Sequence, residues 1–377
     1  MLHRFAKFLV ACTVLLVLAG SLVTSTDSGL SVPDWPTSYG WNMLTFPPSK
    51  WVGGILYEHG HRLIASTVGF LTIILAAWLW IEEPRRWMRR LGIVALGAVI
   101  AQGVLGGLTV LFFLPAAVST AHAALAEIFL CLVVSIALFT SPRWIDGYAS
   151  ATADGASPDD GTLRRLATAT TALIYAQILV GATMRHTGAG LAIPDFPLMF
   201  GHLVPPHWDA RIAVHFSHRV GALVVLAAVL TSWSRVRRHQ GARKELLRTA
   251  TLLVALVVAQ ATLGALTVLS ARNVWINSLH VVCGALVLTT SLVLTLRSWR
   301  AMFRDLVQLQ PDTVLASHAD GPANQPPRFA LRRFADQPSP RLRRSAEASG
   351  QAEASAQAEA GHDASRDALQ PDRGARA

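Results

Sequence analysis

The sequence predicts an all-α membrane protein whose eight transmembrane helices form two four-helix bundles, related to each other as a parallel repeat. Hydrophobic residues make up 52% of the chain and charged residues only 15%, whereas roughly a quarter of the residues in a soluble domain are charged. Eight apolar stretches are long enough to cross a bilayer, which takes about 20 helical residues. The last four stretches repeat the first four. These observations exclude an ordinary soluble domain.

The predicted spans are read from the apolar stretches in chain order. The first, with Arg4 and Lys7 before it, also has the form of a signal peptide with a cleavage site at Ala19-Gly20-Ser21. We interpret it as a retained span, because the fifth stretch is its counterpart in the second repeat. The spans cover residues 5–24, 61–81, 91–114, 119–140, 166–185, 211–233, 248–269 and 275–296.

The basic residues lie in short runs between these spans. Connectors two to three, four to five and six to seven and the segment after span eight are rich in arginine. By the positive-inside rule both termini are cytoplasmic, and the loops 25–57 and 186–210 face outward. The net charge of +10 therefore reflects topology rather than nucleic-acid binding. We expect a bacterial plasma membrane, since no serine-rich amphipathic presequence precedes the first span.

An internal repeat divides the chain. Residues 29–36 match residues 190–197 at a separation of 161, and residues 101–111 match residues 259–269 at a separation of 158. Each copy holds an even number of spans, so both copies start on the same side of the membrane and their pseudo-twofold axis lies along the membrane normal.

The repeat also sets the predicted domains. The first four-helix repeat covers residues 1–145 and the second residues 164–300, joined by a cytoplasmic linker at 146–163 that is rich in Asp, Gly, Ala and Ser. Residues 301–377 contain few large apolar side chains. Such a segment cannot bury enough surface to fold, so we expect a disordered cytoplasmic tail.

Four histidines lie near the outward ends of spans at matching positions of the two repeats: His61, His122, His218 and His280. Ionisable residues inside a membrane are costly and are therefore functional candidates. Two imidazoles that face each other in a four-helix bundle suit bis-imidazole ligation of a haem iron. The alternative is that each is a polar residue satisfied by a hydrogen bond to a neighbouring helix. The matched pairs favour two haem sites.

A short motif beside the first pair differs between the repeats. Glu58 precedes His61 by three residues and therefore lies on the same helix face, whereas His215 takes its place in the second repeat. A carboxylate there can accept or relay a proton; the alternative is an exposed acid at the end of a loop. Arg62 and Arg219 either pair with haem propionates or reach the interface as anchors. The difference suggests that one site performs chemistry and the other transfers electrons.

The outward loops carry a second matched motif, at residues 33–36 and 194–197, which we expect to form rigid turns. Their aromatic residues either cover the sites or lie at the membrane interface. The other histidines of these regions are expected to be solvated: His59, His186, His202 and His207.

These residues resemble the haem A synthase family, over roughly residues 5–298. The resemblance rests on Glu58-x-x-His61-Arg62, the loop from Ser25 to Pro36, His122, the pair His218-Arg219, and His280. It implies an enzyme of cytochrome oxidase assembly that oxidises the C8 methyl of haem O to a formyl by successive hydroxylations. Residues 25–57 contain no cysteine, so the chain is a variant without the outward-loop cysteine pair, and Asp27 stands where we expect glycine.

The resemblance also implies roles for the two halves. The first would hold the substrate haem O between His61 and His122, with Glu58 assisting the oxidation. The second would keep a permanent haem b, with its iron ligated by His218 and His280. Expected partners are haem O, haem O synthase and membrane lipid, with water as the oxygen source. The sequence identifies no electron acceptor and leaves a homo-oligomer open.

Two other functional classes remain as alternatives. A two-haem b-type electron-transfer protein or quinone oxidoreductase would stack its haems across the membrane, which needs histidines at two depths. All four histidines here are predicted at one depth, which argues against it. A transporter would need broken helices at the midplane, and the spans show none.

Overall fold

A computed structural model describes residues 1–145 and 160–300. Within these ranges eight helices are long and apolar enough to cross a membrane, which confirms the predicted all-α membrane class. In chain order they are α1 Leu2–Ser25, α2 Gly54–Glu82, α3 Arg86–Leu111, α4 Ala116–Phe139, α5 Gly161–His186, α6 Ala210–His239, α7 Lys244–Leu269 and α8 Val274–Ser298. The predicted tail and most of the predicted linker lie outside the described residues.

The start of α2 differs most from the prediction. The helix begins at Gly54 rather than at His61, because an apolar stretch reveals only the part of a helix that lies in hydrocarbon, while the backbone hydrogen bonds continue into the interface. Gly53 ends the preceding loop at a φ of 56°, a conformation that glycine adopts without steric cost. Glu58 therefore lies inside a helix and not in a loop.

Side-chain caps fix the starts of three helices in the second half. An oxygen of the preceding residue accepts a hydrogen bond from a backbone N–H of the first turn, which is worth about 1 kcal/mol. The caps are Asp160 to Leu163 at 3.0 Å, Asp209 to Ile212 at 2.7 Å, and Asn273 to Trp275 at 3.1 Å.

The helices pack as two closed rings. In the first ring each of α1 to α4 contacts the next and α4 returns to α1; α5 to α8 do the same. The rings meet through α1 with α8, α4 with α5 and α4 with α8. Two side-by-side four-helix bundles produce this pattern, although the parallel repeat itself stays a prediction. Because α1 contacts α2, α4 and α8, its packing supports a retained span.

Polar contacts help to join helices within the second ring. Lipid is as apolar as a leucine side chain, so helices in a membrane associate through close packing and hydrogen bonds. The hydroxyls of Thr170 on α5 and Ser232 on α6 lie 3.0 Å apart, and those of Thr171 and Ser291 on α8 lie 2.7 Å apart. Each such contact contributes about 0.6 kcal/mol.

The two outward loops have the same local structure. Asp34 accepts hydrogen bonds from the backbone N–H groups of Tyr39 and Gly40, at 2.7 and 2.9 Å. Asp195 does the same with the residues that follow it at the same spacing, Phe200 and Gly201, at 2.7 and 2.9 Å. All four donors have φ between 52° and 78°, which explains the glycine in each turn.

These hydrogen bonds stabilise the charged form of both aspartates. The N–H groups of Gly201 and Phe200 lower the pKa of Asp195. Burial alone would raise the pKa of Asp34, but the hydrogen bonds from Gly40, Thr37 and Tyr39 outweigh it, so this pKa is also lowered. Since both pKa values lie below the ordinary value, the turns keep this stabilisation at neutral pH and lose it as the pH falls through the lowered values.

Candidate active site

The four predicted histidines lie in the bundle cores on diagonal helices, α2 with α4 and α6 with α8. Each imidazole packs against a glycine of the preceding helix, so closely that a Cβ on the glycine would lie 2.9 to 3.1 Å from the ring carbon Cε1. Even an alanine would crowd the ring at these positions. The pairs are His61 with Gly20, His122 with Gly106, His218 with Gly181 and His280 with Gly264.

The second pair has a spacing that suits one metal ion. The ring centres of His218 and His280 are 6.5 Å apart. An imidazole nitrogen lies about 2 Å from a first-row metal that it binds, so two rings on opposite sides of one metal have their centres roughly 6 Å apart. His218 and His280 are therefore spaced so that they could hold one haem iron between them.

Three of the four histidines have a glutamine beside them. The amide nitrogen of Gln177 lies 3.0 Å from Nδ1 of His218. Those of Gln102 and Gln260 lie 3.3 Å from Nε2 of His122 and His280, respectively. Such a contact orients the ring. A histidine that binds a metal donates its other N–H, so in the metal-bound form the amide oxygen of the glutamine, rather than its nitrogen, would face this ring nitrogen. For His122 and His280 the second ring nitrogen, Nδ1, is buried without a partner among the described residues.

The first pair repeats this arrangement with one difference. His61 and His122 lie on α2 and α4, the counterparts of α6 and α8 in the second half. Nδ1 of His61 is also buried without a described partner. The residue at the position of Gln177, however, is Leu16. Since the amide is replaced by an apolar side chain, His61 is the least constrained of the four rings.

Glu58 forms a buried ion pair that holds the first outward loop. Its Oε1 lies 2.7 Å from Arg62 Nη2, and its Oε2 accepts a hydrogen bond from the Val32 N–H at 2.7 Å. Only 3% of Glu58 is exposed. The alternative of an exposed acid at a loop end is therefore wrong. The carboxylate connects the α2 helix, one turn before His61, to the loop above it.

The arginines beside the histidines bind the loop backbone. Both terminal nitrogens of Arg62 donate to loop carbonyls, those of Val32, Asp34 and Thr37. Arg219 donates to Ile193, Asp195 and Leu198 in the second loop. These contacts explain why arginine follows histidine in both repeats. Propionate binding by Arg62 and Arg219 stays a prediction.

His215 replaces Glu58 in this role. Its Nδ1 accepts a hydrogen bond from the Ile193 N–H at 3.3 Å, and Ile193 matches Val32 in the repeat. His215 is 2% exposed. Both halves thus secure their outward loop at the same point, but only the first uses a carboxylate. Loop attachment alone does not require an acid at residue 58.

The first loop covers its bundle with aromatic residues. The Trp35 ring packs on α3 at Gly107, where a Cβ would lie 2.5 Å from the ring. Gly107 follows Gly106, which contacts His122, so Trp35 packs on the part of α3 that is next to this histidine. His59 is fully buried between Phe46 and Trp51, with ring centres 4.9 Å away in each case. The expectation that His59 is solvated is wrong, because these aromatic residues enclose it.

A further group, at the end of α5, was not predicted from the sequence. Arg185 donates from Nη2 to the Ser21 carbonyl at 2.8 Å and to the Ser25 hydroxyl at 2.9 Å, both on α1. The Ser25 hydroxyl also accepts a hydrogen bond from Asn277 of α8, one turn before His280, at 3.1 Å. This end of α5 therefore lies at the junction of α1 and α8. His186 is half-buried, unlike the solvated loop residue that we expected.

Comparisons of the sequence with known proteins indicate one family. Residues 49–292 match the sequence model of the COX15-CtaA family, described as cytochrome oxidase assembly protein. A protein named "Heme A synthase" from Symbiobacterium thermophilum is 32% identical over 276 residues, which cover 72% of this chain and 86% of the relative.

Two further relatives carry the same name. The protein from Halalkalibacterium halodurans is 29% identical over 77% of this chain and 95% of its own length. That from Agrobacterium fabrum is 28% identical over 74% of this chain and 84% of its own length. Since the family match covers more than half of the chain and includes all four histidines, the chain belongs to the COX15-CtaA family of cytochrome oxidase assembly proteins.

Proposed function

We propose that this chain is a haem A synthase, a membrane oxidoreductase that converts the C8 methyl of haem O into a formyl group. The observation that carries the proposal is the pair of matched histidine sites, of which only the first has a buried carboxylate beside it. With water as the oxygen source, the methyl group and one water together give the formyl group, four protons and four electrons; the carbon loses two hydrogens, the water loses the other two, and the electrons pass to an acceptor. Each half contributes a different part of this reaction.

The first half holds the substrate. His61 and His122 supply two imidazoles for the iron of haem O, and the glycines behind them leave room for the rings. Trp35 and the first loop cover the outward end and exclude water from the site. His61 lacks the glutamine that steadies the other histidines, which suits a ligand to a haem that enters and leaves.

Glu58 supplies the base. It is a buried carboxylate one turn from His61, and the oxidation releases protons that a nearby acceptor must take up. Its contacts to Arg62 and Val32 hold both carboxylate oxygens in place. The second half has a histidine at this position and therefore no fixed negative charge.

The second half holds a resident haem b between His218 and His280. When bound, haem b supplies one-electron transfer. Gln177 and Gln260 orient the two rings, and the 6.5 Å between the ring centres already suits one iron. Rings held in this way would favour retention of the haem over exchange.

The apolar spans and the apolar substrate both place the reaction in a membrane. The chain is a multi-pass membrane protein, and we propose that it lies in a bacterial plasma membrane with both termini cytoplasmic, because the arginine-rich connectors lie on that side. The long apolar tail of haem O partitions into lipid. We therefore propose that the substrate comes laterally from a haem O synthase in the same membrane.

Co-expression with a haem O synthase tests the function. Cells that contain both proteins are expected to accumulate haem A, while cells with the synthase alone accumulate haem O. The haems are extracted with acid and separated by chromatography. Unchanged haem O beside well-folded, haem-loaded protein would contradict the proposal and favour the electron-transfer alternative.

A further inference from the structure

The two halves differ in charge at their outward ends. Arg185 occupies the position of Thr24 in the first repeat, and Arg272 occupies that of Leu114. The backbone supports the second match, because Leu114 and Arg272 both have a positive φ, 59° and 67°. The second half thus carries two cations at positions where the first half is neutral.

The contacts of Leu114 and Arg272 also match. A Cβ on Gly29 would lie 3.2 Å from a methyl of Leu114, and a Cβ on Gly190 would lie 4.0 Å from Cδ of Arg272. Gly29 and Gly190 correspond in the repeat. The position beside this loop glycine is therefore filled by a methyl group of Leu114 in the first half and by the aliphatic part of the Arg272 side chain in the second.

Neither Arg185 nor Arg272 forms an ion pair with a carboxylate of the described residues. The charges of Arg185 and Arg272 act on each other, so the pair is mutually repulsive. The charge of Asp27 also acts on Arg185. Within residues 1–145 and 160–300, however, no carboxylate oxygen lies within the 4.0 Å of an ion pair from either guanidinium. Buried charges in proteins are normally paired.

Arg185 also has a hydrogen-bond donor without a described partner, close to the histidine pair of the second half. Its Nε is buried and has no partner among the described residues. The Ser25 hydroxyl that accepts from Arg185 also accepts from Asn277, one turn before His280 on α8. A planar guanidinium binds carboxylates through two nitrogens at once, and in Arg185 one nitrogen is occupied by α1 while another remains available. The missing group is therefore an anion beside His280.

We propose that Arg185 and Arg272 bind the two carboxylates of the haem in the second half, and that the neutral residues Thr24 and Leu114 leave the haem of the first half free to exchange. The inference rests on the proposed function and adds to it. In the second half, the two arginines keep the haem bound permanently. In the first half, the lack of these cations lets the substrate haem exchange. The histidines hold the iron in both halves; the missing glutamine beside His61 and the missing cations of the first half act in the same direction.

The test exchanges the second-half residues for those of the first. The double variant Arg185→Thr with Arg272→Leu is purified with its haems and mixed with excess apomyoglobin. Resident haem b is expected to transfer at least about tenfold faster for each arginine removed. The midpoint potential of haem b, measured by spectroelectrochemistry, is expected to fall, because removing positive charge disfavours the reduced haem.

Two further variants separate charge from folding. Arg185→Lys with Arg272→Lys keeps the charges and should retain a potential near that of the wild type. Arg211→Leu removes an exposed cation at the start of α6 and should change neither quantity.

A reciprocal variant, Leu114→Arg, adds a cation at an exposed position of the first half and should slow release of haem from that half.

The outcomes are distinct from those of the function test. Wild-type transfer rate and potential in the Arg185→Thr, Arg272→Leu protein would overturn the inference while haem A formation still stood. If the double variant fails to fold, an unchanged release rate in Leu114→Arg or a lowered potential in the lysine protein would overturn it. A wild-type protein that binds no haem would instead contradict the proposed function.

Discussion

Alanine at His218 or His280 is expected to abolish the six-coordinate spectrum of the resident haem. Each change would remove one of the two imidazoles that we propose to hold the iron, whose ring centres are 6.5 Å apart. The absorption spectrum of the reduced protein should lose its sharp bis-imidazole bands completely. The protein itself should still accumulate in the membrane, because the substitution removes a side chain without adding bulk.

Two controls make this result specific. Added imidazole can occupy the space left by the ring and should restore the spectrum if the histidine is an axial ligand. His207→Ala removes an exposed loop histidine that packs on Phe200 and should leave the spectrum unchanged. If the bis-imidazole bands survived both His218→Ala and His280→Ala, the assignment of the second site would be wrong.

Glutamine at Glu58 is expected to lower haem A formation by about 10² to 10⁴-fold, the usual contribution of a positioned acid or base. The amide can still accept the hydrogen bond of the Val32 N–H, while the negative charge is lost. Bound haem O should remain in the first half, because both ligating histidines are intact. The measurement is the ratio of haem A to haem O extracted from the co-expressing cells.

Other substitutions separate proton transfer from loop attachment. Glu58→His introduces the residue that holds the second loop at the matching position, so it should keep the loop and still lack the base. Glu83→Gln breaks a comparable buried ion pair, with Arg85 at 2.6 Å, at the opposite end of α2. It should leave conversion unchanged. Equal loss of haem A in Glu83→Gln and Glu58→Gln would show that ion pairing, not the base, matters.

Much of the fold follows from hydropathy and the repeat. Each predicted span overlaps a helix, because crossing a membrane leaves the backbone few alternatives to a helix. The four histidines were found from their matching positions in apolar sequence. Asp27 is explained only by the structure. It has a φ of 52° and matches Gly188 at 69°, so the position favours glycine and tolerates aspartate.

Several parts of the site could not be predicted because they depend on contacts between distant segments. The burial of His59 requires Phe46 and Trp51 from a folded loop, and no local pattern encodes it. From the sequence, Arg62 could either pair with a haem propionate or reach the interface as an anchor. Its hydrogen bonds to loop carbonyls are seen only in the folded chain. Gln102 and Gln260 were visible as polar residues in apolar spans at matching positions, and this signal could have linked them to the histidines.

The role of Arg185 could not be predicted from the sequence for a different reason. Arg185 lies at the end of a predicted span, and nothing in the sequence around it distinguishes it from other basic residues near the ends of spans. Its meaning depends on the packing of α5 against α1 and α8, which brings it to Ser25 and near His280. Alignment of the two halves shows that Thr24 stands at its position. Comparing the halves residue by residue is therefore more informative than examining either half alone.

The most direct test is an electron cryo-microscopy map of the protein purified from cells that make haem O. We predict two porphyrins, one with its iron between His61 and His122 and the other with its iron between His218 and His280. The carboxylates of the second should face Arg185. A single porphyrin, or porphyrins whose irons are bound by other residues, would contradict the account.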